Sequence, residues 1–126
     1  MKSKKKPVKK TMYFYYMTDN EISVREISEV VMEEKKKQEV VEVWDEAQVI
    51  EISTIDKRTI DIEMMELFQG ENDKKFLDDN NVKCIFSIRT EEEDVNRVSD
   101  IFKKVTKEYS GFVCSDSEDF KPYLVG

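Results

Sequence analysis

The sequence predicts an α+β fold, a two-layer sandwich of ferredoxin-like or related topology, with a mixed, mostly antiparallel sheet and its helices on one face. Three observations carry that expectation. Residues 59–64 (TIDIEM) alternate strictly, with Ile60, Ile62 and Met64 on one face and Thr59, Asp61 and Glu63 on the other, as in an antiparallel strand with one wet face. Val95, Val98, Ile101, Phe102, Val105 and Tyr109 recur at helical spacing, the strongest such period in the chain. The element order βα-βββ-(short α)-βαβ then sets each long helix between strands, which favours packing both on one side of a sheet.

The first strand is Thr11 to Met17 (TMYFYYM), an aromatic run of high β-propensity that ends at the turn cluster Thr18-Asp19-Asn20. Ser23 and Glu26 have capping-box spacing, so a helix starts there. Ile27, Val30 and Val31 form its apolar stripe, and it fades into EEKKK at 33–37, where cations offset the helix dipole. Three strands follow, at Glu39 to Trp44, Val49 to Ser53 and Thr59 to Met64. The connections at Asp45-Glu46-Ala47 and Ile55-Asp56-Lys57-Arg58 are short enough for hairpins.

After Gly70, a short helix from about 72 to 80 presents Phe76 and Leu77 and leads to a strand at Val82 to Arg89. Thr90 and Glu93 read as a second capping box, opening the helix that runs to Ser110. Gly111 sits where a glycine closing that helix belongs. Phe112 to Ser115 is the last expected strand, and DSEDFKPYLVG follows as a tail. Within it Phe120, Pro122, Tyr123 and Leu124 suit a segment packed across the domain or a strip that meets a partner. No internal repeat is visible.

Length and charge bound the function. The 126 residues fit one core, expected over 11–126, with 1–10 (MKSKKKPVKK) as a flexible basic arm. Hydrophobic and charged residues each make up 39%, against a usual charged share of ~25%, but the clean periodicities argue for a folded domain. The net charge of −7 is divided unevenly. Six of the 21 basic residues lie in the arm, leaving 15 against 28 acids, so the body carries about −13. Such a body repels nucleic acid and anionic lipid at long range. No stretch approaches the ~18 apolar residues of a membrane span, and no secretory leader follows the lysines. A cytoplasmic location with reduced thiols is expected.

The chain has no histidine, so Ser-His-Asp and Cys-His arrangements and imidazole metal sites are excluded. Its three glycines, at 70, 111 and 126, form no phosphate-binding loop. A right-handed crossover would bring Cys84 and Cys114 near each other, but with no activating base they read as buried, inert thiols. Asp116, Glu118 and Asp119 lack the glycine and regular ligand spacing of a calcium loop, so no metal is expected. No catalytic residue and no cofactor are expected.

One polar pattern stands out. The outward positions of the three-strand meander are acidic, at Glu42, Glu51, Asp61 and Glu63, with Glu39 and Asp45 near the strand ends, and residues 39–56 contain no lysine or arginine. Like charges facing one another on a sheet destabilise it, so a face built this way suits either a basic partner, with complementary fields speeding association, or the solvated face of an acid-rich protein. Asp116, Glu118 and Asp119 extend the candidate partner-binding set. The profile is analogous in composition to small inhibitors of nucleases or toxins (immunity-type proteins) and to mimics of nucleic-acid charge. The leading expectation is therefore a non-catalytic binding domain whose partner is another protein with a basic surface. The alternative is a nucleic-acid-associated regulator that uses Lys4, Lys5, Lys6, Lys9 and Lys10 for phosphates, with the Tyr13–Tyr16 aromatics as a stacking platform.

Overall fold

The structure is a computed structural model and describes residues 10–54 and 57–126. It shows a mixed α+β fold. Among the described residues there are seven strands and three α-helices, in the order β1 (Thr11–Thr18), α1 (Val24–Glu34), β2 (Val40–Trp44), β3 (Val49–Ser53), β4 (Thr59–Met65), α2 (Glu71–Asp79), β5 (Cys84–Glu91), α3 (Val95–Tyr109), β6 (Phe112–Ser115) and β7 (Tyr123–Val125). One sheet holds all seven strands in the order β2-β3-β4-β5-β1-β6-β7. Every neighbouring pair is antiparallel, which corrects the expected mixed sheet. The reason lies in β1, which sits between β5 and β6. The crossover through α3 therefore joins two strands that run parallel to each other without touching.

Strand alternation sorts the two faces. Phe14 and Tyr16 of β1, Ile50 and Ile52 of β3, Ile60 and Ile62 of β4, Phe86 and Ile88 of β5 and Val113 of β6 form the main core. Val24, Ile27, Val30 and Val31 of α1 and Val98, Ile101, Phe102 and Val105 of α3 close it from one side. Residues one step along each strand point to the other face. There Met17, Ile85 and Cys114 gather with Leu77 of α2, Val82 and Phe120 in a second cluster. Thus α1 and α3 share one face as expected, while α2 lies against the opposite one, so the helices are not confined to a single face. No apolar stripe foretells this, because α2 buries only Leu77.

Local signals explain most boundaries. Ser23 caps α1, its hydroxyl accepting from the Arg25 amide, while Glu26 reaches back to the Ser23 amide at 2.7 Å, completing the expected capping box. Lys35, Lys36 and Lys37 fall just beyond that helix rather than in its last turn. The Thr90–Glu93 box does not form. Thr90 is buried inside β5 with its hydroxyl on the Glu91 carbonyl, a 3-10 turn over Glu92–Asp94 precedes α3, and Glu93 pairs with Arg58 at 3.5 Å. Strand β5 runs two residues further than its alternation suggests and takes the position a cap would need.

The end of α3 is held by β1. Tyr16 donates its hydroxyl to the Ser110 carbonyl at 2.6 Å, and Thr18 donates to the Tyr109 carbonyl at 2.7 Å, so carbonyls left open by the helix are satisfied. Burial pushes the Tyr16 phenol up to about 12. Gly111 follows at φ +95°, and a Cβ there would lie 2.1 Å from the Met17 carbonyl oxygen. Only glycine fits so close to β1.

Candidate functional site

The register lines up the acidic residues. Glu42 of β2 stands opposite Glu51 of β3, Glu51 opposite Asp61 of β4, Asp61 opposite Arg89 of β5, and Arg89 opposite Tyr13 of β1. This is one row across five strands, on the face away from α1 and α3. Its first three members are acids about 5 Å apart at their Cα atoms. Glu63 lies one rung over, in the row Val49–Glu63–Ser87–Tyr15. Each like-charged pair costs roughly 0.2–1 kcal/mol, so the row opposes folding slightly.

Arg89 relieves one end of the row. Its guanidinium lies 3.1 Å from the Asp61 carboxylate and 3.8 Å from Glu91. Among the described residues, the carboxylates of Glu42 and Glu51 make no ion pair or hydrogen bond. Arg89 was not singled out from the sequence. Its outward position could have been read from the alternation of β5, but the pairing of β5 with β4 could not. The unpaired acids of the row therefore lie at its β2–β3 end, next to the edge of the sheet, whereas Glu39 is buried against Arg97 and so is not part of the acidic face, and Asp45 pairs with Arg25.

The acids of the tail form a separate group. Asp116, Glu118 and Asp119 follow β6 and border an open depression of about 690 Å³, shared with Tyr15, Phe68 and Asp73. Asp119 is tied into its own turn, accepting from the Lys121 amide at 3.1 Å and the Ser117 hydroxyl at 3.2 Å. Burial first, and then the charge and hydrogen bond of Asp116, push the Tyr15 phenol up to about 12. From Asp61 to Asp116 the row crosses β5 and β1, about 14 Å at ~4.8 Å per strand, and Arg89 and Tyr13 lie between. The two acidic groups share a face without merging into one patch. Among the described residues, no group of three or more cysteines and acids is placed to hold a metal ion.

The tail itself is ordered by apolar contacts. Phe120 is buried with its ring 4.5 Å from Phe76, and Tyr123–Val125 add β7 to the sheet edge. The segment packs across the domain, one of the two roles its composition allowed. Only Tyr123 of this segment remains a well-exposed large apolar residue.

The two thiols do not meet. Cys84 pairs with Thr18 on the α1/α3 face, where its thiol lies 3.5 Å from the Ile22 carbonyl, whereas Cys114 pairs with Tyr15 on the opposite face. Strand β1 runs between them, which corrects the expected proximity. Both are free and buried, and burial pushes the Cys114 thiol up to about 12. We expect no adduct on either thiol when the native protein meets iodoacetamide near pH 8 for about an hour, and two adducts after unfolding in guanidinium. Mass spectrometry reads the result, and native labelling of Cys114 would show that its strand opens.

The features assigned to nucleic-acid binding are thin within the described residues. Lys4, Lys5, Lys6 and Lys9 lie outside them, and Lys10 pairs with Glu92 at 3.9 Å. Phe14 and Tyr16 are in the core and Tyr15 is packed among Phe68 and Phe120, leaving Tyr13 at 53% exposure as the one open ring of the run. No helix of the described residues is long and apolar enough to cross a membrane. No protein-family model, curated protein sequence or solved structure matches the chain.

Proposed function

We propose that this protein is a small, non-catalytic binding domain, an inhibitor or immunity-type protein that docks a basic protein partner through the acidic row of its sheet. The observation that carries this reading is the row itself. Glu42, Glu51 and Asp61 occupy facing positions on three adjacent strands, and two of the three lack any compensating cation among the described residues. A purely structural surface would relieve such repulsion with lysine or threonine at one of these positions. A partner that brings its own cations removes the repulsion on binding, which makes the row a source of affinity and of fast association.

The rest of the molecule is consistent with a scaffold for that face. We read β1 between β5 and β6, with α1 and α3 above them, as a ferredoxin-like core, extended by the β2–β3 hairpin at one edge and β7 at the other. The free thiols suit a reducing compartment, and we assign the protein to the cytoplasm.

The test reverses the two unpaired acids together. Glu42→Lys with Glu51→Lys is expected to leave folding intact and to raise stability by a few tenths of a kcal/mol, because position 51 then opposes Asp61 with the opposite charge, while positions 42 and 51 still repel each other. Affinity for the partner isolated with the wild-type chain should fall at least about tenfold at low salt, mainly through the association rate. Unchanged affinity at low salt would reduce the row to a solvated surface. If the full chain instead binds DNA or RNA near ~50 mM salt, and glutamine at Lys4, Lys5, Lys6, Lys9 and Lys10 abolishes it, the arm is the functional element.

A further inference from the structure

We propose that the partner contributes an extended segment that pairs with the free edge of β2 as an eighth strand, carrying lysine or arginine at alternate positions and apolar residues between them. This rests on the reading of Glu42 and Glu51 as docking residues, and adds how the partner is held.

The two edges of the sheet differ. At one edge, β7 is three residues long, follows Lys121 and Pro122, and meets β6 with a register shift at Val113 and Cys114. Short length, a basic residue, proline and irregular pairing all deter a further strand. At the other edge, β2 (VVEVW) is a regular five-residue strand with no lysine, proline or register shift. Its large apolar side chains lie open, with Val40 at 56% and Trp44 at 45% exposure. An edge of this kind is a template for strand addition.

Charge selects the occupant. Val40, Glu42 and Trp44 point to the acidic face and Val41 and Val43 to the helix face, where their partners Ile52 and Ile50 are core residues. A strand laid beside β2 would place alternate side chains against Glu42 and near Glu51, where cations fit, with stems running along Val40 and Trp44. The intervening side chains would meet Val41 and Val43, where apolar groups fit. A second copy of the chain suits this edge poorly. Two-fold pairing of β2 sets Glu42 against its own copy, or in the next register on the diagonal about 7–8 Å away.

The chain reports on this edge directly, because Trp44 is its only tryptophan. The probe is the synthetic peptide KVKVKVK, with two variants N-methylated at the amides of its odd or its even residues. In low salt the unmodified peptide should bind and shift Trp44 emission. One methylated peptide should bind at least about tenfold more weakly and the other within about twofold, because only one set of amides faces the edge. Glu42→Lys should weaken the unmodified peptide at least about fivefold.

Equal binding by both methylated peptides would mean charge alone holds them, sinking strand addition while leaving the acidic face as a docking site. Binding without any change in Trp44 emission would place the peptide elsewhere and also overturn the inference. If no peptide binds, the inference fails, while the acidic-face reading still stands or falls on its own partner assay. A dimer by sedimentation that the peptide does not dissociate would give the edge to a second copy.

Discussion

Phe102→Ala is expected to destabilise the protein by about 3–5 kcal/mol, a large part of the ~5–15 kcal/mol typical of a domain this size. Phe102 is fully buried on α3, with its ring 5.3 Å from Tyr16, which in turn lies 5.9 Å from Phe86. The three rings link α3 to β1 and β5, the central strands of the sheet. Removing the middle of α3's apolar face leaves a cavity that rigid strands below cannot close, so the transfer loss and the cavity term add. Tyr16 also loses the ring that positions it, and with it the hydroxyl that closes the C-terminal end of α3 on the Ser110 carbonyl. Phe102→Leu should cost less, because it keeps most of the volume. Urea unfolding followed by circular dichroism measures both, and the midpoint should move while the slope stays constant. A loss below about 1 kcal/mol would show α3 to be peripheral to the core.

The helices and the meander were legible because each repeats its signal locally. Ser23 and Glu26 announce a helix within four residues, and the alternation in TIDIEM needs no distant partner to be read. The face assignment of Asp61 and Glu63 follows from the same alternation. Pairing was not legible, and the site depends on pairing. That Glu42, Glu51 and Asp61 form one row, and that Arg89 sits at its end, follows from registers between strands up to 28 residues apart in sequence. The same limit explains Cys84 and Cys114. A crossover brings their strands near, but the insertion of β1 between them, and the opposite parity of the two residues, are properties of the whole sheet. The tail was legible in part. Phe120 is among the residues suited to packing across the domain and is buried against Phe76, but the strand Tyr123–Val125 is too short to show an alternation in the sequence. The Thr90–Glu93 spacing fits a capping box, but Thr90 is claimed by the strand before the helix can use it.

Glu39→Ala is expected to cost about 3–5 kcal/mol, as large an effect as the loss of a core ring, because it leaves the Arg97 guanidinium, whose side chain is only 11% exposed, without its counter-charge. The Glu39 residue is only 4% exposed. Arg97 of α3 grips its carboxylate through two hydrogen bonds, at 2.8 and 2.7 Å, and also donates to the Glu34 carbonyl at the end of α1. The Lys36 amide donates to the same carboxylate at 2.8 Å. The pair therefore joins the end of α1, the entry to β2 and the face of α3. Burial by itself pushes the Glu39 carboxyl up, but the Arg97 hydrogen bonds, the Lys36 amide and the charge of Arg97 outweigh it, and the group ends below its ordinary value. A lowered carboxyl binds fewer protons folded than unfolded, so its stabilisation is complete above the unfolded value of ~4.3 and is lost as pH falls through the folded value. Glu39→Gln separates charge from shape. Near neutral pH it should be clearly less stable than wild type, and that difference should shrink steadily below about pH 4 as the wild-type carboxylate takes up its proton. Thermal or urea unfolding at several pH values provides the measurement. A difference that stays constant down to about pH 2 would mean that hydrogen-bond geometry, not the charge of Glu39, holds this corner together.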